Sequence, residues 1–134
     1  MKITDIDELK RIANNVRIGI IESTYNAKSG HPGGSLSVAD ILTVLYFNQM
    51  NVDEKNPKSE SRDRLVLSKG HVAPALYSTL AERGYFAKEE LKKLRKINGM
   101  LQGHPDMKNI PGVDMSTGSL RTRIICCQWY GNCI

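Results

Sequence analysis

The sequence predicts an α/β chain in which helices flank a parallel β-sheet. Residues 64–68 form a short apolar run with the length and composition of a buried strand. A glycine turn at Gly70 and a helical stretch over residues 72–83 follow, and that order of elements is half of a β-α-β unit. A long amphipathic segment over residues 5–28 supplies a further helix to pack against such a sheet.

The first predicted helix covers residues 5–28. Thr4 is the predicted N-cap, and the acidic residues Asp5, Asp7 and Glu8 suit the positive end of the helix dipole. Apolar side chains recur at helical spacing, and we expect this stripe to face the core. Its members are Ile6, Leu9, Ile12, Val16 and Ile20.

A glycine- and proline-rich segment, residues 29–35, is predicted to be a loop that leads into a second helix over about residues 38–49. Ser37 is its predicted N-cap, with Asp40 at the capping-box position. The apolar face of this helix is predicted to consist of Ile41, Leu42, Leu45 and Tyr46.

The rest of the chain alternates loops with helices. Residues 51–63 are predicted to be a polar surface loop, and Gly84 is the predicted C-cap of the helix over 72–83. Residues 87–97 are predicted to form another amphipathic helix, and residues 98–119 are rich in loops. The inward side chains of that helix are predicted to be Leu91, Leu94 and Ile97.

Composition excludes several classes of function. The chain has 134 residues, 40% of them hydrophobic, which is one soluble domain or less. The net charge of +5 is spread along the chain and aromatic residues are only 6%, so we expect no binding to nucleic acid. No apolar run approaches the length of a membrane span, and the first residues are too polar for a signal peptide. We therefore expect a cytoplasmic protein with no membrane partner.

Each of the three histidines follows a glycine: His31, His71 and His104. Chance would give that arrangement about once in two thousand sequences of this composition. Glycine lets a backbone approach a ligand closely, and imidazole binds anions or moves protons near neutral pH. A phosphate-binding crevice, a three-histidine metal site and ordinary surface histidines all remain open. The metal site is disfavoured because no two histidines have a local ligand spacing.

Four collinear segments resemble the start of transketolase, most closely the N-terminal subunit of its split, two-chain form. Related thiamine-diphosphate enzymes that make deoxyxylulose phosphate share the Gly-Gly-Ser-Leu of residues 33–36. The His31-Pro32 pair and the segment 102–106 favour transketolase. The four segments are SGHPGGSLSVADIL (29–42), DRLVLSKGHVAPALYSTLAERGY (63–85), QGHPD (102–106) and GVDMSTGSL (112–120).

The resemblance implies an incomplete thiamine-diphosphate-binding fold, with residues 1–120 forming the N-terminal part of that domain. It implies transfer of a two-carbon ketol unit between sugar phosphates, with thiamine diphosphate and Mg²⁺ as cofactors. It also implies a partner, the C-terminal transketolase subunit, in a homo- or hetero-oligomer.

The resemblance also assigns roles to individual residues. His31 would contact substrate and assist proton transfer, and His104 would hydrogen-bond hydroxyl and carbonyl oxygens of the donor sugar. His71 would bind the diphosphate end of the cofactor. The loop against the cofactor would consist of Gly118, Ser119 and Leu120.

The chain departs from the family pattern after Leu120. Residues 121–134 contain every cysteine and the only tryptophan. One choice of codons for these residues, read with its first base removed, gives Gly-Gln-Gly-Leu-Ser-Ala-Ala-Asn-Gly-Met-Ala-Ile-Val, which resembles the family's continuation. We hypothesise that residues 121–134 are a frameshifted tail, the alternative being a genuine divergent C-terminus.

This departure has consequences for activity. In the family, Mg²⁺ is held by a Gly-Asp-Gly segment and an asparagine that come later in the chain. The glutamate that activates the cofactor lies in the second half of the protein or in the partner subunit. We therefore expect no metal ligands in this chain, weak or absent cofactor binding, and negligible activity of the chain alone. Two other functions stay open: a non-catalytic module that binds a transketolase subunit, and a small three-histidine metalloenzyme.

Overall fold

The computed structural model describes residues 2–118, and the regular elements of this part of the chain are all helical. A π-helical turn, Leu45–Gln49, continues α3, and a 3₁₀ turn, Gly70–Val72, leads into α4. A second 3₁₀ segment covers Lys88–Lys93. The α-helices are α1 (Ile6–Ala27), α2 (Pro32–Leu36), α3 (Ala39–Val44) and α4 (Ala73–Arg83).

Helix α1 confirms the first predicted helix, with one correction at its start. Asp5, rather than Thr4, is the N-cap, because its carboxylate accepts the backbone N–H of Asp7 at 3.0 Å. The helix ends at Lys28, whose φ of 50° is left-handed. Most of the predicted apolar stripe is buried, but Ile6, the first helical residue, is 67% exposed. The buried members are Ile12, Val16 and Ile20.

The predicted loop over residues 29–35 is wrong in its second half, where α2 begins at Pro32. Proline favours the first helical position because its fixed φ is already helical. Ser37 is not the N-cap of the next helix, since its hydroxyl donates to the carbonyl of Gly34 at 2.9 Å and so closes α2. Helix α3 starts at Ala39 without a side-chain cap, and its Ile41 is 59% exposed rather than inward.

The predicted strand over residues 64–68 is also wrong, and no strand occurs among residues 2–118. A strand needs a neighbour to share its backbone hydrogen bonds. Here the N–H of Leu65 donates to the carboxylate of Asp114 at 2.7 Å instead. The α/β family pattern therefore has only its helical part in the described residues, and the parallel sheet is not seen there.

Helix α4 is the centre of the core, and every residue from Ala73 to Ala81 is buried. It packs closely on α1, where a Cβ at Gly19 would lie 2.9 Å from the hydroxyl of Ser78. The predicted C-cap is confirmed, because Gly84 has a left-handed φ of 96°. The segments that carry the histidines are thus attached to one well-packed pair of helices.

The predicted helix over residues 87–97 is shorter than expected. Leu91 and Leu94 are buried as predicted, but Ile97 is 94% exposed. The 3₁₀ segment ends at Lys93, and the left-handed φ values of Arg95 and Asn98 are not helical. Residues 98–118 form the loop-rich segment that the sequence predicts. Across residues 2–118, no helix combines the length and apolarity that crossing a membrane requires.

Candidate functional site

The first two histidines lie together at the start of α2 and the 3₁₀ turn before α4. The ring centroids of His31 and His71 are 5.0 Å apart, and the rings meet edge to face at 81°. Gly34 packs against the same 3₁₀ turn, because a Cβ there would lie 2.9 Å from Cγ1 of Val72. Only glycine allows α2 to approach the turn this closely. The sequence alone gave no basis for pairing these two histidines.

A lysine lies beside the histidine pair. The ammonium nitrogen of Lys69 is 3.2 Å from the hydroxyl oxygen of Ser37 and 3.4 Å from the carbonyl of Gly34. Among residues 2–118, Lys69 forms no ion pair with a carboxylate. Its positive charge is therefore available to an anion that enters next to the two imidazoles.

A third segment, ending at Gly118, packs against the turn that carries His71. A Cβ at Gly70 would lie 2.7 Å from Oγ1 of Thr117 and 3.0 Å from the backbone nitrogen of Gly118. Thr117 is only 7% exposed, and residues 2–118 offer its hydroxyl no hydrogen-bond partner. A buried hydroxyl without a partner is unusual, and here it lies in the contact between two glycine-containing loops.

His104 is held by a tyrosine of α4. The hydroxyl oxygen of Tyr77 lies 2.8 Å from the carbonyl oxygen of His104 and 2.9 Å from that of Gln102. Burial raises the pKa of Tyr77, so its hydroxyl stays protonated and remains a donor. The next carbonyl, that of Pro105, accepts the N–H of Thr117 at 3.2 Å. The His104 loop is thus bonded to the segment that packs against Gly70, while the imidazole of His104 is exposed.

A buried ion pair fixes the segment that leads to Gly118. Asp114 is paired with Arg62, and the two side chains are 3% and 9% exposed. The neighbouring carboxylate raises the pKa of the Arg62 guanidinium and keeps it charged. The same carboxylate accepts the N–H of Leu65, so it connects residues 62–65 to the segment that ends at Gly118.

The structure therefore brings together most of the residues that the sequence singled out. His31 touches His71, Gly118 lies against the turn of His71, and His104 is attached through the Pro105–Thr117 bond. Ser119 and Leu120, like the whole tail over residues 121–134, lie outside the described residues. Within residues 2–118, no three His, Cys, Asp or Glu side chains are grouped closely enough to hold a metal ion.

Comparison with known proteins decides the ancestry of this site. The sequence matches the family described as transketolase, thiamine diphosphate binding domain, over residues 8–127. The chain belongs to the transketolase family. Most of the matched range lies within the described residues, and it includes all three glycine-histidine loops.

Individual relatives agree with the family assignment. The chain is 48% identical over 113 residues to a 6-deoxy-6-sulfo-D-fructose transketolase subunit of Clostridium sp. strain MSTE9, covering 84% of this chain and 41% of that one. It is 46% identical over 115 residues to transketolase of Homo sapiens, covering 86% and 18%. The structure of Pichia stipitis transketolase in complex with sedoheptulose-7-phosphate superimposes with a TM-score of 0.82 and 35% identity, covering 87% and 17%. The chain thus spans well under half the length of these relatives.

Sequence reasoning missed three residues of this arrangement. Lys69 stands in the same glycine turn as His71, and a cation beside a Gly-His pair was a signal that could have revealed it. Tyr77 is a large polar residue in a helix of mostly small side chains. A buried tyrosine hydroxyl usually forms a hydrogen bond, so its presence there was a signal. The burial of the Thr117 hydroxyl had no signal in the sequence.

Proposed function

We propose that this chain carries part of the cofactor and substrate site of a transketolase. The complete protein would use thiamine diphosphate to transfer a two-carbon ketol unit between sugar phosphates. The observation that carries the proposal is the convergence of three loops on the His31–His71 pair, since that pair, Lys69 and Gly70 form one cationic, glycine-lined corner. Such a corner suits the diphosphate of the cofactor.

The residues present fit the diphosphate end of the cofactor. Lys69 and His71 would bind its phosphate oxygens, and the hydroxyl of Thr117 would gain a partner that residues 2–118 do not give it. The close contact at Gly70 would let the backbone of Gly118 approach the same ligand. Bound thiamine diphosphate supplies the carbanion chemistry of ketol transfer.

The two exposed histidines would act on the sugar. His31 would contact the substrate and move a proton, because its imidazole lies at the mouth of the site against His71. His104 would donate hydrogen bonds to hydroxyl and carbonyl oxygens of the donor sugar. These roles follow the family resemblance, and the structure supports them by presenting both imidazoles to solvent beside the same loops.

The proposal includes parts that this chain does not supply. A Clostridium relative is named a transketolase subunit, which supports a separate C-terminal subunit as partner in an oligomer. Mg²⁺ would be held by residues that come later in the complete protein, as the family resemblance implies. We therefore propose that the 134-residue chain binds the cofactor weakly and does not catalyse alone, and that the complete protein is cytoplasmic.

Titration with inorganic pyrophosphate directly tests the proposed binding site for the diphosphate. Imidazole and ³¹P signals would be followed by NMR for the native chain, His71→Ala and Lys69→Ala, with Lys96→Ala as an exposed cation control. We expect weak binding to the native chain that both site variants reduce and the control does not. Binding that is unaffected by both site variants would contradict the proposed site. Tight, Mg²⁺-dependent binding of thiamine diphosphate would contradict the proposal that the metal ligands lie elsewhere.

Sequencing the gene across codon 121 tests the hypothesis of a frameshifted tail. One extra base, followed by a frame that runs into Gly-Asp-Gly, would support it. The restored protein would then be expressed with its C-terminal subunit and assayed for ketol transfer, with His31→Ala and His104→Ala as variants. An intact frame would overturn the frameshift hypothesis and favour a non-catalytic module that binds a transketolase subunit.

A further inference from the structure

Arg95 lies between the loop of His31 and the loop of His104, and none of the roles above uses it. Its Nη1 donates a hydrogen bond to the hydroxyl of Ser29 at 2.8 Å, two residues before His31. Its backbone has a left-handed φ of 61°, and its N–H donates to the carbonyl of Leu101 at 2.9 Å. The strained backbone and the backbone bond together fix where this side chain starts.

The same guanidinium packs against the glycine that precedes His104. A Cβ at Gly103 would lie 2.9 Å from Nε and 3.0 Å from Cζ of Arg95. A side chain at position 103 would therefore push the guanidinium out of this place. This contact gives a physical reason for the glycine in the Gly103-His104 pair that does not involve a positive φ.

We propose that Arg95 is a positioning residue that holds the His31 loop and the His104 loop at a fixed separation. The inference rests on the proposed function, in which both imidazoles act on one sugar-phosphate substrate. The two loops otherwise depend on different elements, since His31 begins α2 and His104 is bonded to α4. A planar guanidinium can donate to one loop and stack on the other at once, which a lysine ammonium cannot do.

Backbone ¹⁵N relaxation of the 134-residue chain, without ligand, tests this role. We expect Arg95→Ala to lower the order parameters of residues 29–31 and 102–104 from about 0.85 toward about 0.6. Arg95→Lys should not restore them. Ser29→Ala should loosen residues 29–31 alone, because the contact with Gly103 remains. Lys96→Ala, the neighbouring exposed cation, is the matched control and should leave both loops unchanged.

A second variant keeps the test decisive if Arg95→Ala fails to fold. Gly103→Ala retains the charge but displaces the guanidinium, so it should loosen both loops as well. Native order parameters in both loops of Arg95→Ala would overturn the proposal, and so would full rescue by Arg95→Lys. Since these measurements need no ligand, they are independent of the pyrophosphate titration. A chain that binds no pyrophosphate but loosens as described would contradict the proposed function and leave the contact role of Arg95 standing.

Discussion

Replacing Asp114 by alanine is expected to detach the segment that carries Gly118 from the segment that leads to His71. The carboxylate of Asp114 pairs with Arg62 and accepts the N–H of Leu65, so it holds both segments at one point. Both charged side chains are nearly excluded from solvent, with 9% of Arg62 and 3% of Asp114 exposed. Alanine would leave a buried guanidinium without its counter-charge.

The magnitude follows from that burial. Removing one partner of a buried ion pair costs about 3–5 kcal/mol, because the remaining charge stays desolvated. This is a large part of the roughly 5–15 kcal/mol by which a domain is stable. Asp114→Asn should cost less than Asp114→Ala, since an amide oxygen can still accept from Leu65.

Urea unfolding followed by circular dichroism measures the loss. The matched control is Asp40→Ala, which also removes the carboxylate partner of an arginine, Arg17. The side chain of Asp40 is 68% exposed, so this pair lies at the surface. That surface pair should contribute less than about 1 kcal/mol. Equal changes in the free energy of unfolding for Asp114→Ala and Asp40→Ala would refute a role for burial in this ion pair.

Three further predictions use other features of the fold. Gly112→Ala should destabilise the chain by about 2–4 kcal/mol, because φ is 82° and a Cβ would lie 2.7 Å from two buried side-chain carbons; Gly33→Ala, with open space around it, should change the midpoint of urea unfolding little. Leu94→Ala should cost about 2–5 kcal/mol in the same assay, whereas Ile97→Ala, at a 94% exposed position, should cost almost nothing. Hydrogen bonding from the Lys108 N–H lowers the pKa of Asp106 below its ordinary 3.8. The ionised carboxylate therefore stabilises the fold above that pH, and this stabilisation is lost as the pH falls through the folded pKa. In Asp106→Asn, the free energy of unfolding should fall less steeply with decreasing pH in this acid range.

The helices that the sequence predicted correctly are those whose signals are local. The apolar stripe of α1 and the C-cap glycine of α4 are patterns among residues a few positions apart. The sequence alone is therefore enough to predict them. The errors at Thr4 and Ser37 are also local, and arise because another bond is made within the same few residues. Asp5 takes the cap of α1, and the Ser37 hydroxyl bonds within α2.

The predicted strand failed for a different reason. An apolar run can be read from the sequence, but a strand exists only where a second strand meets it. Among residues 2–118 none does, and Asp114, which is 49 positions away from Leu65, takes the backbone donor instead. The composition of residues 64–68 describes a preference for burial, and the partner that would satisfy it as a sheet is not within the described part of the chain.

The candidate site depends both on local sequence signals and on contacts between residues that are distant in sequence. Each Gly-His pair was visible in the sequence, yet the glycines of two pairs have a role that only the fold reveals. Gly70 makes room for Thr117 and Gly118, and Gly103 makes room for Arg95. In both cases the glycine admits a neighbour that is distant in sequence, rather than a special backbone conformation. His71 and His104 are therefore placed by contacts between loops, whereas Gly30, before His31, has a positive φ of 136°. Variants that fill the contacts at Gly70 and Gly103 should disturb the site while leaving the α1–α4 core in place.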